Sequence, residues 1–408
     1  MHYSSINKIL KRNLILICID GGRVDRAKNS FIIQNFRKEN SIFFSQSITY
    51  APYTNSALHA LISGAYGNRT GCNSYWHSRK FNHNKFKTIV DYLHENNYYT
   101  CADVPTNLIM PKQNYDEYYV SDESSIDLKT HHYELLCKMK KLVDSKQKIF
   151  LHLHYSGIHE GIRDTVLKFF TNYSKEFFEN RKQNEERYDA LFTDAEKYLE
   201  YIHEKLDELN LWENSIIIVF SDHGMSLGEK FGERAYGSFC YDYTIRTFAN
   251  YNSTDLDSKE FDKQVSHVDF IPTILEHLEI KEDKNYEKMD GVSLLNAMKG
   301  EQFNERYVFT ETGNPLNEQA PPKKPNTESI RTSQWKLIYN EHNNSKELYN
   351  LKDDPSEENN LIDEEISIKE ELWNNLKDIL GDRTIDDDDT PFFNESTLKK
   401  IIRVGKEG

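Results

Sequence analysis

Two acidic residues sit where a buried strand would end. Asn13–Ile19 is a continuous apolar run that stops at Asp20-Gly21-Gly22, and a second run, residues 215–220, stops at Ser221-Asp222-His223-Gly224. Asp20, Asp222 and His223 together offer the oxygen and nitrogen donors that suit a divalent cation. Read singly, Asp20-Gly-Gly is a turn and Asp222 a helix N-cap, places both residue types favour. The coincidence of both groups at strand ends favours metal binding. A third segment, Ala51-Pro-Tyr-Thr54-Asn-Ser-Ala-Leu58-His-Ala-Leu61-Ile62-Ser-Gly64, reads as a short helix with Leu58, Leu61 and Ile62 on its apolar face and Gly64 closing it. Thr54 at its start can cap free amides. A sharper reading has it face a bound oxyanion there, where a metal touching the hydroxyl would make it a nucleophile.

These groups need a parallel sheet to bring them together. Runs apolar throughout read as strands buried on both faces, and residues 148–154 supply a third beside the two above. Between the second and third lies a helix over residues 184–209, with Tyr188, Leu191, Phe192, Ala195, Leu199, Ile202, Leu206 and Leu209 at helical spacing. Strand, helix, strand is a βαβ unit, so the fold class is α/β, and ligands of such sheets bind beyond the carboxyl ends of the strands. After about residue 300 the texture changes: a proline-bearing loop over 315–327, short strands at 335–339 and 347–350, and a helix near 366–380. This predicts a catalytic α/β unit over 1–310, a small C-terminal α+β subdomain over 311–380, and an acidic-then-basic tail over 381–408.

The whole chain carries 51 Lys+Arg against 66 Asp+Glu in 408 residues, a formal charge of −15. That balance excludes a nucleic-acid coat, which needs a basic footprint. No apolar run reaches the ~18–20 residues of a membrane span, and the N-terminus shows no signal-peptide pattern. Cys18, Cys72, Cys101, Cys137 and Cys240 are scattered without a CxxC pair. This is the usage of a reducing compartment, and a cytoplasmic location is expected. The sequence does not specify an oligomeric state.

The residues also carry a family likeness. The chain resembles the sulfatase branch of the alkaline phosphatase superfamily over most of its length. The likeness rests on Asp20-Gly-Gly-Arg23-Val-Asp25-Arg26, on Ala51-Pro-Tyr-Thr54 through Gly64-Ala-Tyr-Gly67-Asn-Arg69-Thr-Gly71, and on the strand ending at Asp222-His223-Gly224. Further phrases in the family's order are His267-Val-Asp269-Phe-Ile-Pro272, Asp290-Gly-Val-Ser-Leu294, Ile330-Arg331 through Trp335-Lys336, and Glu347-Leu-Tyr-Asn through Asn360-Leu361. The resemblance implies an alkaline-phosphatase-like, mostly parallel central sheet with helices on both faces, and a short antiparallel sheet in the small subdomain. It implies that Asp20, Asp222 and His223 bind a divalent metal beside the nucleophile Thr54. His159 would contact the substrate oxyanion or protonate the leaving group, and Lys336 would face the substrate.

The departures narrow the chemistry. Sulfatases proper carry Cys-x-Pro-Ser-Arg, whose cysteine becomes formylglycine; here Thr54 stands in the cysteine's place and Leu58 in the arginine's. Formylglycine chemistry is excluded. Superfamily members with threonine at this position mostly act on phosphate through a covalent phospho-enzyme. Ser156 occupies the place of a second-metal Asp, and Tyr236-Gly237 that of a late His-Gly. Both losses point to one metal, with calcium, magnesium or manganese fitting a carboxylate-rich site better than zinc. His77, His83, His152 and His154 could enlarge the site, though a strand histidine more often faces core or solvent. The expectation is a metal-dependent hydrolase or transferase of a phosphoester, either a phosphodiester or a head-group ester. Its alternatives are a sulfuric ester hydrolase without formylglycine and a catalytically degenerate binding protein. The substrate would be a small-molecule, glycan or head-group ester, shaped by loops 67–85 and 225–240.

Overall fold

Strand β1 (Asn13–Ile19) is buried along its whole length because it has a core on each side: Leu14, Leu16 and Cys18 enter one, Ile15, Ile17 and Ile19 the other. The computed structural model describes residues 12–37, 39–122, 125–167, 173–316 and 322–381, so the tail expected over 381–408 lies outside the described residues apart from Gly381. Around β1 the chain lays down β2 (Ser41–Ile48), β3 (Tyr98–Val104), β4 (Glu117–Val120), β5 (Lys148–Tyr155), β6 (Ser215–Phe220), β7 (Arg246–Asn252), β8 (Lys259–Phe261) and β9 (Val265–Ser266). Their order is β4-β3-β5-β1-β6-β7-β2-β8, with β9 beside β2. Every pairing is parallel except the two made by β7, which runs against both β6 and β2.

Helices cover both faces, as a parallel sheet requires. The helix Arg181–Glu208 lays Tyr188, Phe192, Ala195, Leu199, Ile202 and Leu206 on the face that receives Ile15, Ile17 and Ile19. The opposite face is covered by Leu58, Leu61 and Ile62 of the helix Thr54–Ser63 and by Phe270, Ile271 and Ile274 of the helix Phe270–His277. Leu58 is therefore a core residue.

A second sheet, β10 (Val308–Thr312), β11 (Thr327–Arg331), β12 (Trp335–Asn340) and β13 (Ser345–Asn350), is antiparallel throughout. It starts just before the boundary expected at residue 310. The helix Ile366–Gly381 packs Leu372 and Leu376 with Phe309, Ile330, Leu337 and Leu348 of this sheet, and with Tyr50, Tyr53 and Tyr66 of the main unit. β10 is stitched to the main unit directly: the Glu311 amide donates to the Tyr50 carbonyl at 3.0 Å and the Thr310 hydroxyl to the Thr49 carbonyl at 2.7 Å. The small sheet thus braces the segment that leads into Thr54.

Candidate active site

The parallel strands β1, β5 and β6 end at one edge, and their continuations converge there. Asp20 follows β1, His154 lies in β5 with His159 in the short helix Gly157–Ile162 after it, and Asp222 and His223 follow β6. Thr54 opens the helix that follows β2. The turn after Asp20 needs glycine at position 21: its φ is +72°, and a Cβ would come within 2.8 Å of Met225.

Thr54 does not cap its helix. Tyr53 is the N-cap residue and makes no side-chain cap. The Thr54 hydroxyl instead donates to Asp20 Oδ2 at 3.3 Å and lies 3.2 Å from His223 Nε2. His223 Nδ1 donates to the Gly224 carbonyl at 2.7 Å, which turns the Nε2 lone pair toward the two carboxylates in the neutral ring. Asp222 Oδ1 accepts from the amides of Gly21 (3.1 Å) and His223 (2.9 Å). Asp222 Oδ2 and Asp20 Oδ1 are buried and accept no hydrogen bond. These two oxygen-bearing groups and the His223 ring have ligand atoms within 4.8 Å of one another. Buried carboxylate oxygens left without donors, with an imidazole lone pair beside them, fit a divalent cation.

The electrostatics agree. Burial would raise the Asp20 carboxyl, but the charge of His159 and the hydrogen bonds from His154 and His159 hold it well below the usual carboxylate range. Asp222 is pushed up, by burial and by the charge of Asp20. Burial disfavours a charged His223, yet Asp222 and Asp20 lift it to about 9. His159 is raised in the same way by Asp20. The field that would hold a proton on His223 would equally hold a cation.

His159 Nδ1 lies 3.3 Å from Asp20 Oδ2, and its Nε2 meets the Tyr236 hydroxyl at 2.8 Å. The Tyr236 ring also packs on His223, with centroids 4.7 Å apart. Tyr236 thus comes to the site from the loop after β6. His154 joins too, its Nε2 3.1 Å from Asp20 Oδ2. The remaining histidines weighed from the sequence lie elsewhere: His77 meets Asn73 at 2.8 Å, His83 packs on Phe81, and His152 is fully buried in β5. Sequence reasoning discounts His154 because a strand histidine more often faces core or solvent, and it reads Tyr236 only as standing in the place of a late His-Gly.

Lys336 corrects the expectation placed on it. It is fully buried in β12, and its ammonium is bound by Asp242 Oδ1 at 2.8 Å and Glu357 Oε1 at 2.5 Å. Two of its three donors are taken by this ion-pair network and the residue is fully buried, so it is not presented to a substrate.

Comparison with known proteins agrees with this architecture. The sequence profile of the family described as Sulfatase matches residues 12–280, and that of the C-terminal region of N-sulphoglucosamine sulphohydrolase matches 238–383. The chain belongs to the sulfatase family, a branch of the alkaline phosphatase superfamily, and is an enzyme of this ester-hydrolase group. Uncharacterized sulfatase YdeN of Escherichia coli (strain K12) is 26% identical over 214 residues, which are 44% of this chain and only 38% of that protein. Among solved structures, the phosphonate monoester hydrolase of Agrobacterium radiobacter superposes with a TM-score of 0.70 at 12% identity, covering 91% of this chain and 95% of that one. The putative sulfatase yidJ of Bacteroides fragilis gives 0.70 at 15% identity over 93% and 97% of the two chains. BT4656, solved in complex with its substrate D-glucosamine-2-N,6-O-disulfate, gives 0.67 at 14% identity over 93% and 99%. At these identities the likeness establishes the fold. Among the described residues no helix is long and apolar enough to cross a membrane.

Proposed function

We propose that this enzyme cleaves a monoanionic phosphoester, a phosphodiester or head-group ester, with Thr54 as the nucleophile and one divalent ion as cofactor. The observation that carries the reading is the Thr54 hydroxyl, turned away from its own helix and held between Asp20 and His223 at 3.3 and 3.2 Å. Asp20, Asp222, His223 and the Thr54 hydroxyl would hold calcium, magnesium or manganese. When bound, such an ion lowers the pKa of the hydroxyl and offsets charge developing on the ester oxygens. Thr54 Oγ1, its proton released to solvent as the hydroxyl ionises, attacks phosphorus in line, forming the Thr54–phosphate bond as the bond to the leaving oxygen breaks. His159, held protonated by Asp20, gives its Nε2 proton to the Tyr236 hydroxyl, which passes its own to the leaving oxygen. Water or an acceptor alcohol then attacks phosphorus as the bond to Thr54 Oγ1 breaks and the threonine is restored, with the same pair drawing off the proton of the attacking oxygen.

One feature supports phosphorus, and a second bears on the charge of the ester. Threonine cannot form the hydrated aldehyde from which a sulfate is eliminated, so its ester must be resolved by a second attack on the central atom, ordinary chemistry for phosphorus. The ion partners of Asp20 and Asp222 among the described residues are histidines, with no lysine or arginine, which suits one negative charge on the ester better than two. A sulfate monoester is also a monoanion, and the family and most of the neighbours favour a sulfatase, so sulfate-ester hydrolysis by Thr54 is the second reading. Turnover of bis(4-nitrophenyl) phosphate and 4-nitrophenyl sulfate, each with manganese or calcium, separates the two. The expected result is metal-dependent phosphodiester cleavage that disappears in Thr54→Ala. A preference for the sulfate would reverse the ranking, and wild-type rates in the variant would remove Thr54 from the chemistry.

A further inference from the structure

Among the described residues, buried arginines have carboxylate partners, with one exception. Arg331 is held by Asp242 at 2.8 Å, and Arg23 by Asp25 at 2.9 Å and Glu229 at 2.6 Å. Arg234 is 8% exposed, and among the described residues no carboxylate lies within ion-pair distance of it. Its Nη1 donates to the Val166 carbonyl at 3.3 Å, and its Nε is buried without an acceptor. Burial alone acts on it, pushing its pKa down to about 10. A guanidinium taken out of water without a counter-charge weakens the fold that holds it. Such a group is retained where a ligand brings the missing charge.

Its place says which ligand. Arg234 is separated from Tyr236 by the buried Ala235, and Val166 lies in the turn that continues the helix opened just ahead of His159. Two contacts therefore join the same two segments along one seam: the Tyr236 hydroxyl on His159 Nε2, and the Arg234 guanidinium on the Val166 carbonyl. The first contact marks the side of the site where the alcohol leaves. We propose that Arg234 binds an anionic group, a carboxylate or a sulfate, carried by the alcohol part of the substrate, so that the enzyme is selective for esters of anionic alcohols. The planar fork of arginine suits both oxyanions. The proposal rests on the ester-cleaving reading of the Thr54 site, but its test does not use turnover.

Thermal unfolding of the full chain provides that test. D-glucuronate supplies a sugar carboxylate without an ester, and inorganic sulfate supplies the other oxyanion; D-glucose and chloride at matched ionic strength are the controls. At saturation at least one oxyanion should raise Tm by about 2 °C. The rise should vanish in Arg234→Met and persist in Thr54→Ala, so a failure of the nucleophile assignment leaves this result readable. The anion that gives the Arg234-dependent rise identifies the group. Without ligand, Arg234→Met should melt at or above the wild-type temperature, because it removes an unpaired buried charge. Arg234→Lys, which keeps charge and loses the fork, should show a reduced rise and serves if the methionine variant does not fold. No rise with either anion, or a rise undiminished in both Arg234 variants, would overturn the proposal.

Discussion

At the scale of single residues, each group at the site is aimed by a hydrogen-bond partner. His223 is oriented by the Gly224 carbonyl, Asp222 by two backbone amides, and His159 by Asp20 on one nitrogen and Tyr236 on the other. The Tyr236 phenol, in the proton path of the proposed mechanism, makes that path testable. Tyr236→Phe keeps the ring that packs on His223 and removes only the hydroxyl. For a poor leaving group such as an alkyl alcohol, kcat should fall ~10²-fold, the size expected for loss of general acid catalysis. For 4-nitrophenol, which leaves without a proton, the fall should be several-fold at most. An equal fall for both would remove the phenol from the proton path. Asp20, Asp222, His223 and Thr54 could be picked out from sequence because each follows an apolar run or opens a helix. His154 is legible only as a strand histidine that could enlarge the site, and Tyr236 only as standing in the place of a late His-Gly, because their roles depend on contacts of about 3 Å between distant segments.

At the scale of elements, β1, β5 and β6 were readable because their residues are apolar on both faces. β2 and β7 were not. They bury Ser45, Ser47, Asn250 and Asn252, whose polarity hides the strand pattern until their partners are seen: Asn250 donates to the Ile33 carbonyl at 2.7 Å and Asn252 to the Ile217 carbonyl at 2.9 Å. The helix Thr54–Ser63 is buried at every residue, and this includes the titratable His59. Burial pushes His59 down to about 4, against a weaker opposing effect of the Asn55 carbonyl, to which its Nδ1 donates at 2.6 Å. The folded protein refuses a proton that the unfolded chain accepts near pH 6.5. The stability present above that pH is therefore lost as pH falls toward 4, by ~3 kcal/mol for a shift of this size. His59→Asn keeps a donor for the carbonyl and cannot titrate. Urea midpoints measured from pH 7 to pH 4 should fall less steeply in the variant, and parallel curves would show that His59 does not set the acid limit.

At the scale of the whole molecule, the two sheets are joined by a buried charge network next to the loop that carries Tyr236. Asp242, beyond that loop, accepts from Arg331 of β11 and Lys336 of β12, while Glu357, past β13, binds Lys336 and accepts from the Asp242 amide at 2.7 Å. Burial and Asp242 raise the Glu357 carboxyl to about 7 even though Lys336 pulls it down. From sequence, Lys336 on a short strand could be read only through the family likeness, because its partners lie far away along the chain. The structure gives it a bracing role, and the two roles predict different behaviour. Lys336→Met leaves Asp242 and Glu357 buried without one of their cations, and should cost ~3–5 kcal/mol, read as a lowered Tm. Adding Glu357→Gln removes the stranded carboxylate and should recover part of that loss. Well below Tm, KM should stay within about twofold of wild type, because the ammonium is buried and engaged by Asp242 and Glu357. A variant with unchanged Tm and a strongly raised KM would instead return Lys336 to the substrate, and with it the role that the family likeness implied.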